Sequence, residues 1–533
     1  MIAFLILIAV VISISILLNN ASSKMGIPVL LAFILLGMVF SYNGLFPIKI
    51  EDYSFVEQIC TAALVFIMFY GGFGTRWSSA KPVASEAILL ANLGVILTAA
   101  FTGVFCHYVL KWGWIESFLL GSVVSSTDAA SVFSILRSRK LGLKNGIAPL
   151  IEVESGSNDP CSYMLTIVML SILKGSASVG NIVWMMIAQL GFGVIFGFLI
   201  GKLAIFAMRK INFVTSGFDS MFLIAVALFA YAIPSLIGGN GFLSVYIVGV
   251  ILGNGDFGGK RNMVHFFDGF TSLMQVMIFF MLGLLAYPEN LIKCIGPALL
   301  IFLALLFIAR PLTVALLLTP YGKYGIRQQS LISFCGLRGA SSIVFAIMAT
   351  IDKSLLTNDI FNIVFCIVLL SIGIQGSLLP AVAKRIGLID STGNVMKNFS
   401  DFSEEVDLQF SEIKVNEDSI WKGKRVMDLG IPHDMRLCLI IKADGERIVP
   451  VGGTVIEEGD SIIVCSKCCT STHRMRIIQH TISPDSKWDG KLVREYPVKK
   501  SQIILIQRNG SSIIPNGSTE LRSNDTLYIT TAY

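Results

Sequence analysis

The sequence predicts an α-helical polytopic membrane protein that ends in a small α+β domain. Hydrophobic residues make up 54% of the 533 residues and charged residues only 14%, whereas soluble proteins average about 25% charged residues. The mean hydropathy is +0.74. Apolar runs follow one another over residues 1–386, but residues 400–533 have the composition of an ordinary soluble domain. These observations indicate a large membrane region followed by a polar one.

Thirteen apolar runs are candidate membrane spans, because each approaches the roughly 20 residues that cross a bilayer as a helix. The first run has no Lys or Arg before it and no small-residue cleavage site, so we predict a span rather than a removed signal peptide. The division into an eighth and a ninth run depends on the Gly-Gly-Asn-Gly sequence at 238–241. The runs cover residues 2–18, 27–41, 55–73, 84–110, 115–137, 147–173, 180–208, 218–236, 241–254, 263–287, 291–319, 327–349 and 360–385.

The charges of the loops predict the orientation. Basic residues concentrate in alternate loops, which the positive-inside rule assigns to the cytoplasm. The opposite loops carry little beyond Lys49, Lys111, Lys174, Lys293 and Lys353. The N-terminus is therefore predicted outside, and the C-terminal domain in the cytoplasm. The basic loops contain Lys24, Arg76, Lys81, Arg137, Arg139, Lys140, Lys144, Arg209, Lys210, Lys260, Arg261, Lys323, Arg327, Lys384 and Arg385.

The C-terminal part contains a tandem repeat with about 65 residues between the copies. Each copy alternates short apolar runs with Gly, Asn and Asp turns, which is typical of a small β-sheet module. The matching segments are 421–424 with 488–491, 440–445 with 505–510, and 459–464 with 524–529, and Pro450 and Thr454 match Pro515 and Thr519. The predicted domains are a membrane domain (1–386), a linker (387–404), a first module (405–482) and a second, shorter module (483–533).

The ten cysteines indicate no disulfide framework, because they are scattered and several lie inside predicted spans. Cys465 and Cys468 form a CxxC motif followed by His473 and His480, so one interpretation is a metal or redox site. The alternative is structural, since Cys465 ends a β-like run and no second CxxC is present. The basic loops account for the net charge of +6, and no basic patch with interleaved aromatic residues predicts a nucleic-acid partner.

Charged and polar residues interrupt several predicted spans at mid-depth, where an ionisable side chain costs roughly 3 kcal/mol or more. The sixth run contains Glu154, Ser155, Asn158 and Asp159. Glu154 and Asn158 share one helix face, and Ser155 and Asp159 share the neighbouring face. The face with Glu154 and Asn158 is suited to an ion pair that stabilises the fold. The second presents a carboxylate and a hydroxyl, which are hard ligands for a Na⁺- or K⁺-like ion.

The fifth and twelfth runs are interrupted by small or hydroxyl-bearing residues beside a charge. Thr127 and Asp128 lie in the fifth run, and Arg338 lies in the twelfth. Interrupted helices at matching places in two halves of a sequence point to a transporter site. Asp128 would offset positive N-terminal ends of half-helices, and Arg338 negative C-terminal ends. The pattern leaves open whether these residues only neutralise helix ends or also contact an ion.

Arg310 in the eleventh run is the natural partner for Glu154. The pair either shapes the ion-binding site or only stabilises the fold. Removal of one partner is destabilising in both cases, because the other charge is left buried and unpaired. Asp159 is then the free carboxyl, expected to bind a metal cation or a proton but not both, which gives antiport by competition. The alternative is that Asp159 is a second carboxylate that holds the fold.

Other chemistry has little support. Residues 253–258 fit GxGxxG, but they follow a predicted span rather than a strand of a βαβ unit, so no dinucleotide site is predicted. The sequence contains no Walker A motif, so transport driven by ATP is not indicated. We therefore predict neither a cofactor nor an enzymatic activity.

Four segments in combination resemble the cation:proton antiporters of the NhaP type. They are Thr127-Asp128, the segment from Glu154 to Asp159, Arg310-Pro311 and residues 336–340. This resemblance covers about residues 1–386. The C-terminal modules resemble the TrkA-C type subdomain that regulates potassium transport systems. Together the two parts resemble bacterial K⁺/H⁺ antiporters of the NhaP group.

The resemblance implies inverted repeats whose fifth and twelfth spans cross as broken helices. It implies that Asp159 carries the cation and the proton, that Glu154 pairs with Arg310, and that Asn158 stabilises the crossing. It further implies a homodimer in the bacterial cytoplasmic membrane that moves by an elevator-like shift. An Asn at position 158 is typical of the branch expected to exchange one ion for one proton. The residues implied to line or support the ion site are Thr127, Asp128 and Ser155.

One position departs from the family pattern. Many relatives carry an acidic residue in the third span before a Gly-Gly pair, whereas this chain has Tyr70 before Gly71 and Gly72. The sequence therefore identifies no third acidic contributor to the site.

We predict a secondary antiporter that exchanges K⁺ or Na⁺ for H⁺. The alternatives are a Na⁺/H⁺ antiporter of the same fold and, from another class, a cation channel gated by the cytoplasmic modules. The channel is less well supported because no filter-like repeat or re-entrant pore sequence is present. The modules at 405–533 are expected to bind a small regulator or to mediate dimerisation, and a nucleotide ligand is suggested by analogy alone.

Overall fold

The structure is a computed structural model in which the chain forms two compact units, residues 1–403 and residues 404–533. It describes residues 9–17, 29–41, 53–139, 141–144, 146–175, 178–211, 217–257, 260–286, 288–351, 356–390, 408–417, 419–432, 435–444, 446–467, 476–483, 486, 488–496, 501–508, 511–513 and 515–531.

The first unit is built from α-helices, some of which continue into one another through π-helical segments. These segments are Leu90–Gly94, Leu305–Ala309 and Ser371–Gly376. The helices in the described residues are α1 (9–17), α2 (Val29–Val39), α3 (Tyr53–Gly74), α4 (Trp77–Ala80), α5 (Ala84–Leu89), α6 (Val95–Leu110), α7 (Trp114–Val123), α8 (Ala129–Ser138), α9 (Ile147–Leu173), α10 (Val179–Lys210), α11 (Phe218–Leu236), α12 (Gly241–Asn254), α13 (Lys260–Leu285), α14 (Pro288–Ala304), α15 (Arg310–Leu318), α16 (Ile326–Phe334), α17 (Ala340–Thr350), α18 (Ile360–Leu370) and α19 (Ser377–Ile386).

These helices coincide with the apolar runs of the sequence and confirm the predicted helical membrane fold. The first run is described only over residues 9–17, and its other residues lie outside the described ones. In the described residues, seven helical segments are long and apolar enough to cross a membrane. They are Tyr53–Gly74, Trp77–Leu110, Val179–Lys210, Phe218–Leu236, Asn262–Leu285, Glu289–Tyr321 and Ile360–Ile386.

Glycine allows two close helix contacts in this unit. Gly37 of α2 faces Gly283 of α13, and Gly72 of α3 faces Gly249 of α12. A Cβ atom at any of the four would meet backbone atoms of the partner helix. Membrane helices commonly approach through small residues, because close backbone packing replaces a hydrophobic driving force between them. These contacts hold α2 against α13 and α3 against α12.

A short antiparallel sheet joins two distant segments of the first unit. It consists of β1 (Gly142–Leu143) and β2 (Ile389–Asp390), with Gly142 opposite Asp390 and Leu143 opposite Ile389. The chain that follows α8 is therefore tied to the chain that follows α19.

The second unit contains two sheets with the same arrangement. The strands are β3 (Leu408–Lys414), β4 (Met435–Ile441), β5 (Arg447–Ile448), β6 (Ser461–Lys467), β7 (Arg476–Thr481), β8 (Ser501–Arg508), β9 (Ser511–Ile513) and β10 (Thr526–Thr531). The first sheet has the order β3-β6-β4-β5 and the second β7-β10-β8-β9, with antiparallel pairing throughout. Helical turns in the described residues of this unit are 3₁₀ turns. The unit is thus two copies of one β-module. Because β7 pairs with β10, the second copy begins no later than Arg476, and the predicted boundary after residue 482 is too late.

An ion pair recurs at the same place in both copies. Lys442 Nζ lies 3.0 Å from Asp460 Oδ2, and Arg508 Nη2 lies 2.6 Å from Asp525 Oδ2. The two aspartates are 65 residues apart in the chain and the two basic residues 66. The sequence comparison, which paired Lys442 with Gln507, was therefore wrong by one residue, because the second copy is shorter between its basic residue and its aspartate.

Cys465 lies in β6 as a half-buried free thiol, and His480 lies in β7. The other members of the CxxC proposal, Cys468 and His473, lie outside the described residues. No group of three His, Cys, Asp or Glu side chains suited to a metal occurs within the described part of the chain. The metal or redox interpretation of the motif stays a prediction.

We expect the second module to lose stability in acid through Asp525. Burial opposes ionisation of this carboxyl, but its bonds to Arg508 and to the Arg522 backbone N–H outweigh burial and hold the pKa of Asp525 below its usual value. A carboxyl with a lowered folded-state pKa stabilises the fold above its unfolded-state pKa. That stability is lost as the pH falls through the folded-state pKa. Arg508→Gln should therefore raise the pH at which the sheet opens.

Hydrogen exchange of the β8 and β10 amides, corrected for the intrinsic effect of pH, measures this opening between about pH 3 and 7. Lys422→Gln is the control, since it removes a half-exposed ion pair with Glu458 in the other module. Equal acid sensitivity of the wild type and Arg508→Gln would contradict the assignment.

Candidate functional site

Two interrupted helices cross in the first unit. Residues 124–128 separate α7 from α8, and residues 335–339 separate α16 from α17. The two unwound segments contact each other, because the Asp128 backbone N–H donates to the Leu337 carbonyl over 2.8 Å. The crossing therefore brings the ends of four half-helices to one place.

Arg338 is buried at this crossing and bonds to unwound backbone. Its Nη1 donates to the carbonyl of Ser125 over 2.8 Å and to that of Ser126 over 2.5 Å. These carbonyls follow the C-terminal end of α7, where a helix carries partial negative charge. The guanidinium lies where it offsets that charge, and it does not line the cavity described below.

Asp128 lies at the N-terminal ends of two half-helices. Its Oδ1 accepts from the Ser131 backbone N–H over 3.1 Å, and its Oδ2 accepts from the Ser131 hydroxyl over 2.5 Å, both in the first turn of α8. Gly339, which precedes α17, packs against the same carboxylate so closely that a Cβ atom would overlap it. Partial positive charge at both helix ends favours a carboxylate in this position.

Two polar residues hold α9 against the unwound segment of α7 and α8. Ser155 Oγ accepts from the Ala129 backbone N–H and donates to the Thr127 carbonyl, each over 2.6 Å. Asn158 Nδ2 donates to Thr127 Oγ1, also over 2.6 Å. The Ser155 hydroxyl is therefore already engaged by backbone where the unwound segment passes into α8.

Glu154 and Asp159 point away from each other on α9, as expected for residues five apart on a helix. Arg310 Nη2 lies 2.5 Å from Glu154 Oε1, and the two side chains are only 4% and 1% exposed. Such a pair is stable only when both charges are matched, because each is removed from water.

A cavity of about 410 Å³ lies beside α9. Its wall carries four carboxylates, and its described lining includes no Lys, Arg or His. The lining residues from the predicted ion- and proton-binding set are Thr127, Asp128, Ser155 and Asp159. The residues of the predicted structural set, which do not line it, are Glu154, Asn158, Arg310 and Arg338.

Asp159 has an unsatisfied carboxylate oxygen in this wall. Its Oδ1 is buried and accepts no hydrogen bond from the described residues. Its polar neighbours are the hydroxyls of Ser126 and Ser341 and the carboxylate of Asp128. A buried acceptor without a donor costs about 1–3 kcal/mol. A proton or a cation at Oδ1 would remove that cost.

Sequence reasoning missed two acidic residues of the cavity, Glu152 of α9 and Asp268 of α13. Asp268 is the only Asp or Glu in its apolar run, and this signal could have identified it. The Tyr70 hydroxyl donates to Asp268 Oδ1 over 3.5 Å, at the long limit for a hydrogen bond. Position 70 carries no carboxylate, but Asp268 on the facing helix α13 places one beside it.

The chain matches two family models. The one described as "Sodium/hydrogen exchanger, transmembrane" matches residues 6–385, which is well over half of the chain. The one described as "TrkA-C domain" matches twice, at residues 410–467 and 477–532, and confirms the tandem repeat.

Relatives and solved structures agree with these matches. The chain is 33% identical over 468 residues to the "K(+)/H(+) antiporter NhaP" of Alkalimonas amylolytica, covering 87% of this chain and 81% of the relative. It is 31% identical over 467 residues to the "K(+)/H(+) antiporter NhaP2" of Shewanella oneidensis, with the same coverage. The structure of the sodium proton antiporter MjNhaP1 from Methanocaldococcus jannaschii at pH 8 matches with a TM-score of 0.62 and 24% identity, over 71% of this chain and 97% of that one, and shows a shared fold. This chain therefore belongs to the sodium/hydrogen exchanger family of cation/proton antiporters.

Proposed function

We propose that the protein exchanges K⁺ for H⁺ because the two ions compete for Asp159. The observation that carries this proposal is the buried Asp159 Oδ1, which has no donor among the described residues and lies in the wall of an acidic cavity. Protonation removes the negative charge that would hold the cation, and a bound cation disfavours the proton. If the site moves between the two membrane faces only when it holds a cation or a proton, this competition couples the cation gradient to the proton gradient.

The ligands suit a monovalent alkali cation. Carboxylate and hydroxyl oxygens are hard donors, preferred by such ions over the thiolates and imidazoles that bind soft metals. Asp159 would supply the charge, and the Thr127 and Ser155 hydroxyl oxygens would each supply the lone pair that their hydrogen bonds leave free. Asp128, held by Ser131, would support the site as a second negative charge.

K⁺ rather than Na⁺ is supported by the names of the relatives from Alkalimonas amylolytica and Shewanella oneidensis, which are K⁺/H⁺ antiporters. Na⁺/H⁺ exchange is the second candidate, because the solved structure that shares the fold is that of a sodium proton antiporter. The uncharged Asn158 beside Asp159 supports exchange of one cation for one proton, with no net charge moved.

Orientation, assembly and regulation are part of the same proposal. The basic loops favour an outside N-terminus and cytoplasmic C-terminal modules in a bacterial cytoplasmic membrane. The cavity is lined by the C-terminal half of α3 and the N-terminal half of α9, and it would then face the cytoplasm.

We propose a homodimer whose modules at 405–533 bind a small-molecule regulator.

The test is a titration in proteoliposomes that contain a pH-sensitive dye. K⁺, Na⁺, Li⁺ and Rb⁺ are added to separate samples that hold a proton gradient, with the membrane potential clamped and then unclamped. We expect K⁺ to collapse the gradient at the lowest concentration, with a rate independent of potential. A large flux that depends on potential would overturn exchange in favour of a channel.

A further inference from the structure

One carboxylate of α3 has no part in the cavity. Glu57 lies half-buried near the N-terminal end of this helix, and its Oε1 accepts from the Thr61 hydroxyl over 3.0 Å. No Lys, Arg or His of the described chain forms a salt bridge with it. An unpaired carboxylate in a membrane span is costly, so its presence points to a use.

Glu57 lies on the same face of α3 as the cavity lining. Leu64, Met68 and Gly71 line the cavity and follow Glu57 by seven, eleven and fourteen residues, which is the spacing of one helix face. A rise of 1.5 Å per residue puts Glu57 about 10 Å beyond Leu64 along the helix axis. Glu57 is therefore in line with the cavity but beyond its end, toward the other side of the membrane.

An aromatic cluster packs beside α9, one helical turn beyond Asp159. Tyr163 follows Asp159 by one helical turn, on the side away from the cavity residue Glu152. The ring of Tyr163 lies 5.0 Å from that of Phe242 and 5.9 Å from that of Phe345, centroid to centroid. Phe242 and Phe345 are fully buried. Asp159 itself lines the cavity, whereas Tyr163, Phe242 and Phe345 are not among the lining residues.

Glu57 lies close enough to this cluster for a charge interaction with Tyr163 and with Tyr231, whose ring lies 5.1 Å from that of Phe242. Asp159, the cluster of Tyr163 with Phe242 and Phe345, and Glu57 thus follow one another from the cavity toward the opposite membrane face.

We propose that Glu57 receives the cation on the membrane face opposite the cavity, and that the Tyr163 cluster is the barrier between Glu57 and Asp159 in this conformation. The inference rests on the proposed exchange at Asp159. A carboxylate at each entrance concentrates cations there, since acidic clefts raise the local concentration of counter-ions. Asp268 has this role on the cavity side and Glu57 on the other.

The test compares the two faces of the membrane in the full-length protein. Everted and right-side-out vesicles present opposite faces, and the K⁺ concentration for half-maximal proton movement is measured in each. Glu57→Gln should raise this concentration about fivefold on one face, and Asp268→Asn about fivefold on the other. Glu289→Gln is the matched control, because it removes an exposed carboxylate in the first turn of α14, a helix with no residue in the cavity lining.

The outcomes separate the inference from the function that it rests on. Opposite sidedness of Glu57→Gln and Asp268→Asn supports the inference. A shift of equal size on both faces, a shift on the same face as Asp268→Asn, or no shift with Glu57→Gln overturns it. Absence of exchange in the wild type would instead overturn the proposed function. Quantification of protein in the vesicles separates a lower affinity from a lower amount of folded protein.

Discussion

Asp159→Asn should abolish cation-driven proton movement while leaving the protein folded in the membrane. The asparagine is of similar size but neither ionises nor carries a proton, so both competing ions lose their site. Loss of a unit charge at contact distance removes about 4 kcal/mol of attraction at an effective dielectric constant of 20, or roughly a thousandfold in cation affinity. The buried position of Asp159 Oδ1, without a hydrogen-bond donor in the described chain, makes this the largest functional effect that we expect.

Everted vesicles measure the effect as the collapse of a preformed pH gradient when K⁺ or Na⁺ is added. Asp268→Asn is the control, because it removes another carboxylate of the same cavity and should shift the required concentration without abolishing exchange. If the Asp159→Asn variant exchanged ions at the wild-type rate, Asp159 would have no role in transport. It would then be a carboxylate that only stabilises the fold.

Disruption of the pair between Glu154 and Arg310 should have the largest effect on stability. Both side chains are almost completely buried, so truncation of one leaves the other charged, buried and unmatched. Such changes cost about 3–5 kcal/mol. Arg310→Met and Glu154→Gln should each lower the thermal midpoint of the detergent-solubilised protein and its amount in the membrane.

The double variant with Glu154→Leu and Arg310→Met tests whether the cost comes from the unmatched charge. It should recover much of the midpoint lost by either single change, because replacement of both charges by apolar groups is often nearly neutral. Arg522→Gln provides a surface control, since its pair with Glu520 is more than half exposed on the arginine side and should contribute little. A double variant no more stable than the singles would argue against this explanation.

Much of the first unit was predictable from local sequence, because hydropathy and helical spacing report on burial directly. The apolar runs mark the helices, and hydroxyl-bearing or small residues beside Asp128 and Arg338 mark the places where the helices break. The spacing of Glu154 and Asp159 separates the residue beside Arg310 from the residue in the cavity wall. Their proposed roles in transport remain predictions.

Long-range contacts were not predictable in the same way. Tyr70 and Asp268 are 198 positions apart, and no local pattern reports that α3 and α13 bring them together. Glu152 was overlooked because it lies near the start of an apolar run, where an acidic residue is unremarkable. The correspondence of Lys442 with Arg508 required the register of the strands, since the two copies of the module differ in length.

The acidic wall of the cavity also determines which ions stay out. Four carboxylates and no base in the described lining repel chloride and other anions. The exchanged cation would therefore cross the membrane without an accompanying anion such as chloride. Protons are taken up by cytoplasmic buffers, whereas an alkali cation stays free in solution and holds water by osmosis. Each turnover would then change the number of osmotically active particles on both sides of the membrane, so the same wall would couple cation exchange to cell volume.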